Sequence, residues 1–265
     1  MIPQKIHYCW FGRNPKPELA IKCIKSWKKY CPDYEIIEWN EDNFDISSCP
    51  LYVKIAYDMK KWAFVTDYVR LKVVYENGGI YLDTDVELLK PLDELLKYNL
   101  FLACEGISYV ATGLGFGAKK GSSVLKDNMA IYEDMNPLNE KGEFISNPCP
   151  FYTTLVLKKR GIDFPIKKIC NIDDDIVIFP NEYFNPYDWK KDKLKITKNT
   201  YSIHHYSSSW MTDEQKRNHI QKTKYENVKK IFGTKIAGIY DAAFWVQKKN
   251  GGPGMFSKIK KKLGW

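Results

Sequence analysis

An α/β fold with a mainly parallel central sheet flanked by helices is what this 265-residue sequence predicts, on three observations. Apolar segments of strand length alternate with segments of helical period along most of the chain. A long helical pattern stops at a double glycine and runs directly into a strand. A hydrophobic content of 44% over this length suits one large core better than two small ones. Interleaved strands and helices imply βαβ units, and ligands of such sheets bind beyond the carboxyl ends of the strands.

Each element has its own signal. Lys5 to Trp10 reads as a strand, Pro17 to Lys29 as a helix, Tyr34 to Trp39 as a strand and Leu51 to Lys60 as a helix. From Trp62 to Glu76 no Gly or Pro interrupts, and Trp62, Val65, Val69 and Val73 recur at helical spacing. Asn77-Gly78-Gly79 ends that helix, and Ile80 to Val86 follows as an alternating strand. Leu100 to Cys104 continues as a strand and Gly113 to Lys119 as a glycine-rich one. Ser122 to Met135 and Phe151 to Arg160 read as helices, and Ile176 to Phe179 and Tyr201 to His204 as short late strands. Gly113-Leu114-Gly115-Phe116-Gly117 lacks the Lys and Ser/Thr of a P-loop and is expected to let backbone pass close to its neighbours or to a bound sugar.

The chemistry concentrates between Trp62 and Leu89. Period two puts Tyr81, Asp83 and Asp85 on one face of the strand. Two ionised carboxylates about 5 Å apart repel by roughly 3 kcal/mol at an effective dielectric near 20, so a positive partner is expected. Hard carboxylate oxygens suit Mg²⁺ or Mn²⁺, ions that also bind substrate phosphates. On the preceding helix Asp67 and Arg70, three apart, share a face from which they can reach the strand end. The competing reading is a solvated helix face beside an exposed strand end.

Asp67-Tyr68-Val69-Arg70, Tyr75-Glu76-Asn77-Gly78-Gly79-Ile80-Tyr81 and Asp83-Thr84-Asp85 together resemble the DXD-containing sugar-binding region of glycosyltransferase family 32. That family is similar in turn to the clostridial glucosylating toxins and to family 8 enzymes. The opening Ile2-Pro3-Gln4-Lys5-Ile6-His7-Tyr8-Cys9-Trp10-Phe11-Gly12 and the late His204-His205-Tyr206-Ser207-Ser208-Ser209-Trp210 extend the likeness over about residues 1 to 212. The resemblance implies a GT-A-like fold and a retaining, metal-dependent transfer of a hexose (galactose, glucose or an N-acetylated relative) from a UDP-sugar. It implies that Asp83 and Asp85 bind metal, Asp83 also meeting ribose, and that Asp67 and Arg70 hold donor-sugar hydroxyls. Trp10, Tyr81 and Trp210 would line the nucleotide and its lid. His205 and Ser208, five and two residues before Trp210, stand where the toxins carry a metal-contacting Glu and Ser, with His in place of Glu as in family 8; His204 is the expected bystander.

Charge and cysteine usage set the surroundings. Of a net charge of +9, six units come from Lys248, Lys249, Lys258, Lys260, Lys261 and Lys262. Phe256, Ile259, Leu263 and Trp265 recur among them as in an interfacial amphipathic helix, with Gly251-Gly252-Pro253-Gly254 as a hinge. Residues 1–243 are therefore expected to form the catalytic domain and 244–265 a basic tail for anionic membrane, with a disordered solubilising tail as the alternative. Basic residues elsewhere are not gathered with aromatics, so nucleic acid is not the expected partner. Seven cysteines without Cys-x-x-Cys or zinc spacing, and no charged-then-apolar leader, point to a reducing cytoplasm. The aromatic content of 15% fits carbohydrate handling as well as core packing. The expected acceptor is a glycan or lipid-linked oligosaccharide, met at the inner face of the cell membrane to which the tail directs the enzyme, in cell-surface polysaccharide synthesis such as capsule. Two other readings are an effector that glycosylates protein and a carbohydrate-binding module without turnover.

Overall fold

A computed structural model describes residues 1–172, 176–188 and 193–207. Along the chain run β1 (Lys5–Cys9), α1 (Glu18–Tyr30), β2 (Glu35–Trp39), α2 (Leu51–Asp58), α3 (Trp62–Asn77), β3 (Gly79–Tyr81), β4 (Val86–Leu88), β5 (Leu100–Glu105), β6 (Tyr109–Val110) and β7 (Phe116–Ala118). There follow α4 (Ser123–Glu133), α5 (Cys149–Lys159), β8 (Cys170–Ile172), β9 (Ile176–Phe179), β10 (Tyr187–Asp188), β11 (Lys193–Leu194) and β12 (Ser202–His204). Residues 1–207 make one compact unit, and the expected boundary at 243/244 and the basic tail lie outside the described residues.

The central sheet has the order β2-β1-β3-β7-β5-β9-β8, with β6 added to β5. β2, β1, β3, β5 and β9 point one way, and β6, β7 and β8 run against them. The parallel expectation thus holds for strand direction, while the glycine-rich β7 is an antiparallel insertion between β3 and β5. Successive residues of β5 feed opposite cores: Leu100, Leu102 and Cys104 pack with α2 to α5, Phe101 and Ala103 with α1 and its neighbours. Burial on both faces explains why such strands read as continuous apolar runs.

The expected strand Ile80 to Val86 is two strands. β3 ends at Tyr81, opposite His7 and two residues short of the end of β1, and Leu82 N still donates to His7 O at 3.1 Å. The chain then turns through Asp83-Thr84-Asp85, with Val86 N on Asp83 O at 3.0 Å, and enters β4, which pairs antiparallel with β12 in a separate ladder. Short acidic side chains favour such a turn over continued pairing. Helix α1 holds β4 in place: fully buried Trp27 donates its indole N–H to Val86 O at 2.7 Å, and Ser26 Oγ accepts from Leu88 N at 2.9 Å. Truncating a ring so buried costs on the order of 3–5 kcal/mol.

Candidate active site

Helix α3 buries Asp67 and Arg70, 7% and 3% exposed, against the end of β3. Arg70 Nη2 lies 3.2 Å from both Asp67 Oδ1 and Asp83 Oδ1. Its Nε donates to Thr66 O at 3.0 Å, Nη2 to Thr66 Oγ1 at 3.1 Å and Nη1 to Cys149 Sγ at 3.5 Å, while the guanidinium stands 5.2 Å over the Tyr81 ring. A planar five-donor cation can serve two carboxylates and the backbone at once, which a lysine cannot. Burial pushes Asp67 up to about 6, with Arg70 limiting the rise. Burial also raises Asp83 and repulsion from Asp85 adds to it, against the pull of Arg70. For Arg70 burial disfavours the charge, but Asp83 and Asp67 outweigh it, so the guanidinium stays protonated.

Asp85 is held differently. His204 Nε2 is 3.1 Å from its Oδ1, Ser207 N and Oγ both donate to Oδ2 at 2.9 Å, and His205 N donates to its backbone carbonyl at 3.0 Å. Burial alone would raise this carboxyl; the donors from His204 and Ser207 instead hold it well below the usual carboxylate range. Burial lowers the affinity of His204 for a proton, and Asp85 more than restores it.

One ligand atom each from Asp83, Asp85 and His204 lie within 4.8 Å of one another. Two carboxylate oxygens and an imidazole nitrogen suit a Mn²⁺- or Mg²⁺-type ion. The ring nitrogen that faces the carboxylates is His204 Nε2, 3.1 Å from Asp85 Oδ1, while Nδ1 is buried without a hydrogen-bond partner among the described residues. On the chemistry and spacing of this donor set the residues fit a divalent cation.

Asp67, Arg70, Asp83 and Asp85 are therefore brought together as the sequence predicts, although a turn rather than a strand face unites the last two. The imidazole turned towards the aspartates is His204, the expected bystander; His205 Nε2 bonds Glu87 Oε2 at 2.8 Å, because neighbouring residues at the end of β12 point to opposite sides. Likewise Ser207 supplies the hydroxyl on Asp85, while Ser208 and Trp210 lie outside the described residues. Tyr81, expected in the nucleotide lining, is 1% exposed and gives its hydroxyl to Asp83 Oδ1 at 3.0 Å, so it supports the aspartate from below. Trp10 stands just past β1, half-buried, its indole N–H on Asn14 O at 2.6 Å and Lys16 Nζ 5.8 Å from its ring.

Gly113 was legible only as part of a glycine run. A Cβ there would collide with Asp83 Oδ2 and sit 3.1 Å from Arg70 Nη1, so the glycine keeps one side of the site open. Cys149, at the start of α5, had no sequence signal, because its role comes from contact with Arg70 across 79 residues.

Residues 17–102 match the model of the glycosyltransferase sugar-binding region containing the DXD motif. Over 123 residues the chain is 36% identical to inositol phosphoceramide mannosyltransferase 3 of Schizosaccharomyces pombe, covering 44% of this chain and 34% of that protein. Over 119 residues it is 25% identical to subversion of eukaryotic traffic protein A of Legionella pneumophila, covering 35% of this chain and 18% of that protein. The chain thus spans about a third or less of the length of these relatives. Among solved structures, PaToxG glycosyltransferase aligns with a TM-score of 0.47 at 18% identity, over 60% of this chain and 69% of that one. The matched region runs from α1 to the start of β5 and includes Asp67, Arg70, Asp83 and Asp85, so residues 17–102 are similar to the glycosyltransferase sugar-binding regions that contain the DXD motif, and Asp83-Thr84-Asp85 is the Asp-x-Asp within them.

Proposed function

We propose that the protein is a metal-dependent, retaining glycosyltransferase that moves a hexose from a sugar nucleotide to a glycan acceptor. The observation that carries this reading is the convergence of Asp83, Asp85 and His204 beside the buried Asp67–Arg70 pair. Asp83, Asp85 and His204 would hold the cation, which when bound supplies positive charge against the departing diphosphate. Arg70 fixes Asp83 through Oδ1 and so leaves Oδ2, beside Gly113, for a ligand. Asp67 and Arg70 present the polar groups for donor-sugar hydroxyls. With no nucleophile placed by the motifs, the acceptor attacks from the front face and the leaving phosphate takes its proton.

The donor is a UDP-sugar in this reading, and the mannosyltransferase relatives add GDP-linked mannose to the donors to be tried. Their names also place a lipid, inositol phosphoceramide, on the acceptor side of those proteins, which supports a lipid-linked acceptor here. Work on such an acceptor would bring the enzyme to the cytoplasmic face of the membrane through its basic tail. Among the described residues no helix is long and apolar enough to cross a membrane.

Nucleoside diphosphate release from a panel of UDP- and GDP-hexoses, with and without Mn²⁺, tests the reading. One donor should turn over only with the ion. Asp85→Asn should lower that turnover by at least about 10²-fold and should also lower the thermal midpoint, because an amide weakens the contacts that His204 and Ser207 make with the carboxylate. Full turnover in EDTA would overturn the assignment of the ion.

A further inference from the structure

Glu87 lies in β4 between two buried residues, Val86 and Leu88, and its side chain points the other way. Its Oε2 accepts from Lys22 Nζ of α1 at 2.8 Å and from His205 Nε2, just past β12, at 2.8 Å. A carboxylate only accepts, so His205 carries its proton on Nε2. Three elements distant in sequence meet on one oxygen.

The β4–β12 ladder has only three residue pairs, Ser202 with Leu88, Ile203 with Glu87 and His204 with Val86. A two-stranded ladder this short is marginal without further support. Yet it must deliver His204 Nε2 and Ser207 to the two oxygens of Asp85. The Lys22 side chain is 61% exposed, and an ion pair at such a site contributes at most about 1 kcal/mol. The contribution of this arrangement is therefore geometric rather than energetic.

We propose that Lys22, Glu87 and His205 form a clasp that positions residues 204–207 over the Asp83–Asp85 turn, with Glu87 and His205 as positioning residues outside the ligand set. The inference rests on the reading of Asp83, Asp85 and His204 as a divalent-cation site. Glu87 ties the segment to α1, the helix that already anchors β4 through Trp27 and Ser26, so one rigid body sets both the turn and the imidazole that faces it. Residues that orient ligands in this way typically govern cation affinity by about 10- to 100-fold.

The test is a titration of Mn²⁺ by electron paramagnetic resonance with the full-length protein, alongside the Mn²⁺ dependence of turnover. Glu87→Ala and His205→Ala should each weaken Mn²⁺ binding about tenfold or more, with turnover recovered at saturating Mn²⁺. The double variant should bind no worse than either single one, because both remove the same contact. Glu87→Gln, which keeps one acceptor oxygen, should recover most of the affinity. Lys22→Met, on the exposed rim, should give a smaller loss in the same direction and serves where a β4 variant does not fold. Outright loss of Mn²⁺ binding in His205→Ala beside normal binding in Glu87→Ala would make His205 a ligand and overturn the clasp. Unchanged affinity in both would overturn it as well. If the unmodified protein binds no Mn²⁺, the reading of the cation site fails first, and the clasp with it.

Discussion

At Gly113 a single missing methyl group decides whether Asp83 can stand where it does. Its φ does not fall in the left-handed region, so a substitution there is opposed by crowding and not by backbone strain. Gly113→Ala should displace Asp83 and disturb the Arg70 contact, lowering kcat/KM by more than about tenfold while costing about 1–3 kcal/mol of stability from overpacking. Steady-state kinetics beside a urea titration separate the two effects, and unchanged kcat/KM would show that Asp83 has room to move. Residue identity was readable in the sequence at Asp67, Arg70, Asp83 and Asp85, where helix spacing and the Asp-x-Asp pattern carry chemical meaning on their own. It was not readable for His204 against His205: adjacent histidines differ only in which side of β12 they face, and that follows from the pairing with β4.

Among elements, the junction of α3 with β3 is the most constrained. Gly78 and Gly79 adopt φ of 67° and 111°, and a Cβ on Gly79 would lie 2.8 Å from His7 Nε2. His7, fully buried in β1, accepts from Trp39 Nε1 of β2 at 3.1 Å through Nδ1, so Nε2 carries the proton and donates to Gly78 O at 2.8 Å. The neutral ring thus ties β1, β2 and the end of α3 together. Burial lowers its affinity for a proton below the ordinary value of 6.5. Above about pH 6.5 neither the folded nor the unfolded chain is charged here and the stabilisation is complete. As the pH falls below that value the unfolded chain takes up a proton that the folded one resists, so stability is lost. His7 therefore lowers the urea midpoint as the pH falls from 7.5 to 5.5, against the opposite trend from His204 and Asp67, whose proton affinities the fold raises, so on acidification the midpoint of His7→Gln should gain relative to that of the unmodified protein. Parallel pH profiles for both proteins would remove His7 as the cause. The double glycine was visible as a helix stop, but the reason for a second glycine, the imidazole of a strand more than 70 residues earlier, was not.

At the scale of the molecule, the central sheet of the described residues separates two cores and its carboxyl edge gathers the site, as a βαβ rhythm implies. We propose that the basic tail, residues 244–265, docks on anionic lipid. Lysines near an anionic surface contribute about 1 kcal/mol each, and the apolar residues among them add burial. Deleting residues 244–265 should shift the protein from the pellet to the supernatant in sedimentation with anionic liposomes, while donor hydrolysis persists. Equal sedimentation of both forms at low salt would return the tail to the disordered alternative.

By itself the sequence determined the order of most elements, the α/β class and the four charged residues of the site. These rest on local period, glycine stops and side-chain chemistry, which are properties of neighbours along the chain. Only the tertiary structure decided that Asp83 and Asp85 share a turn, that β7 runs against its neighbours, and that the side chains of His204 and Ser207 rather than that of His205 reach the Asp85 carboxylate. Each of these depends on which strand lies beside which, and strand partners separated by more than 100 residues, such as β4 and β12, leave no periodic trace in either segment.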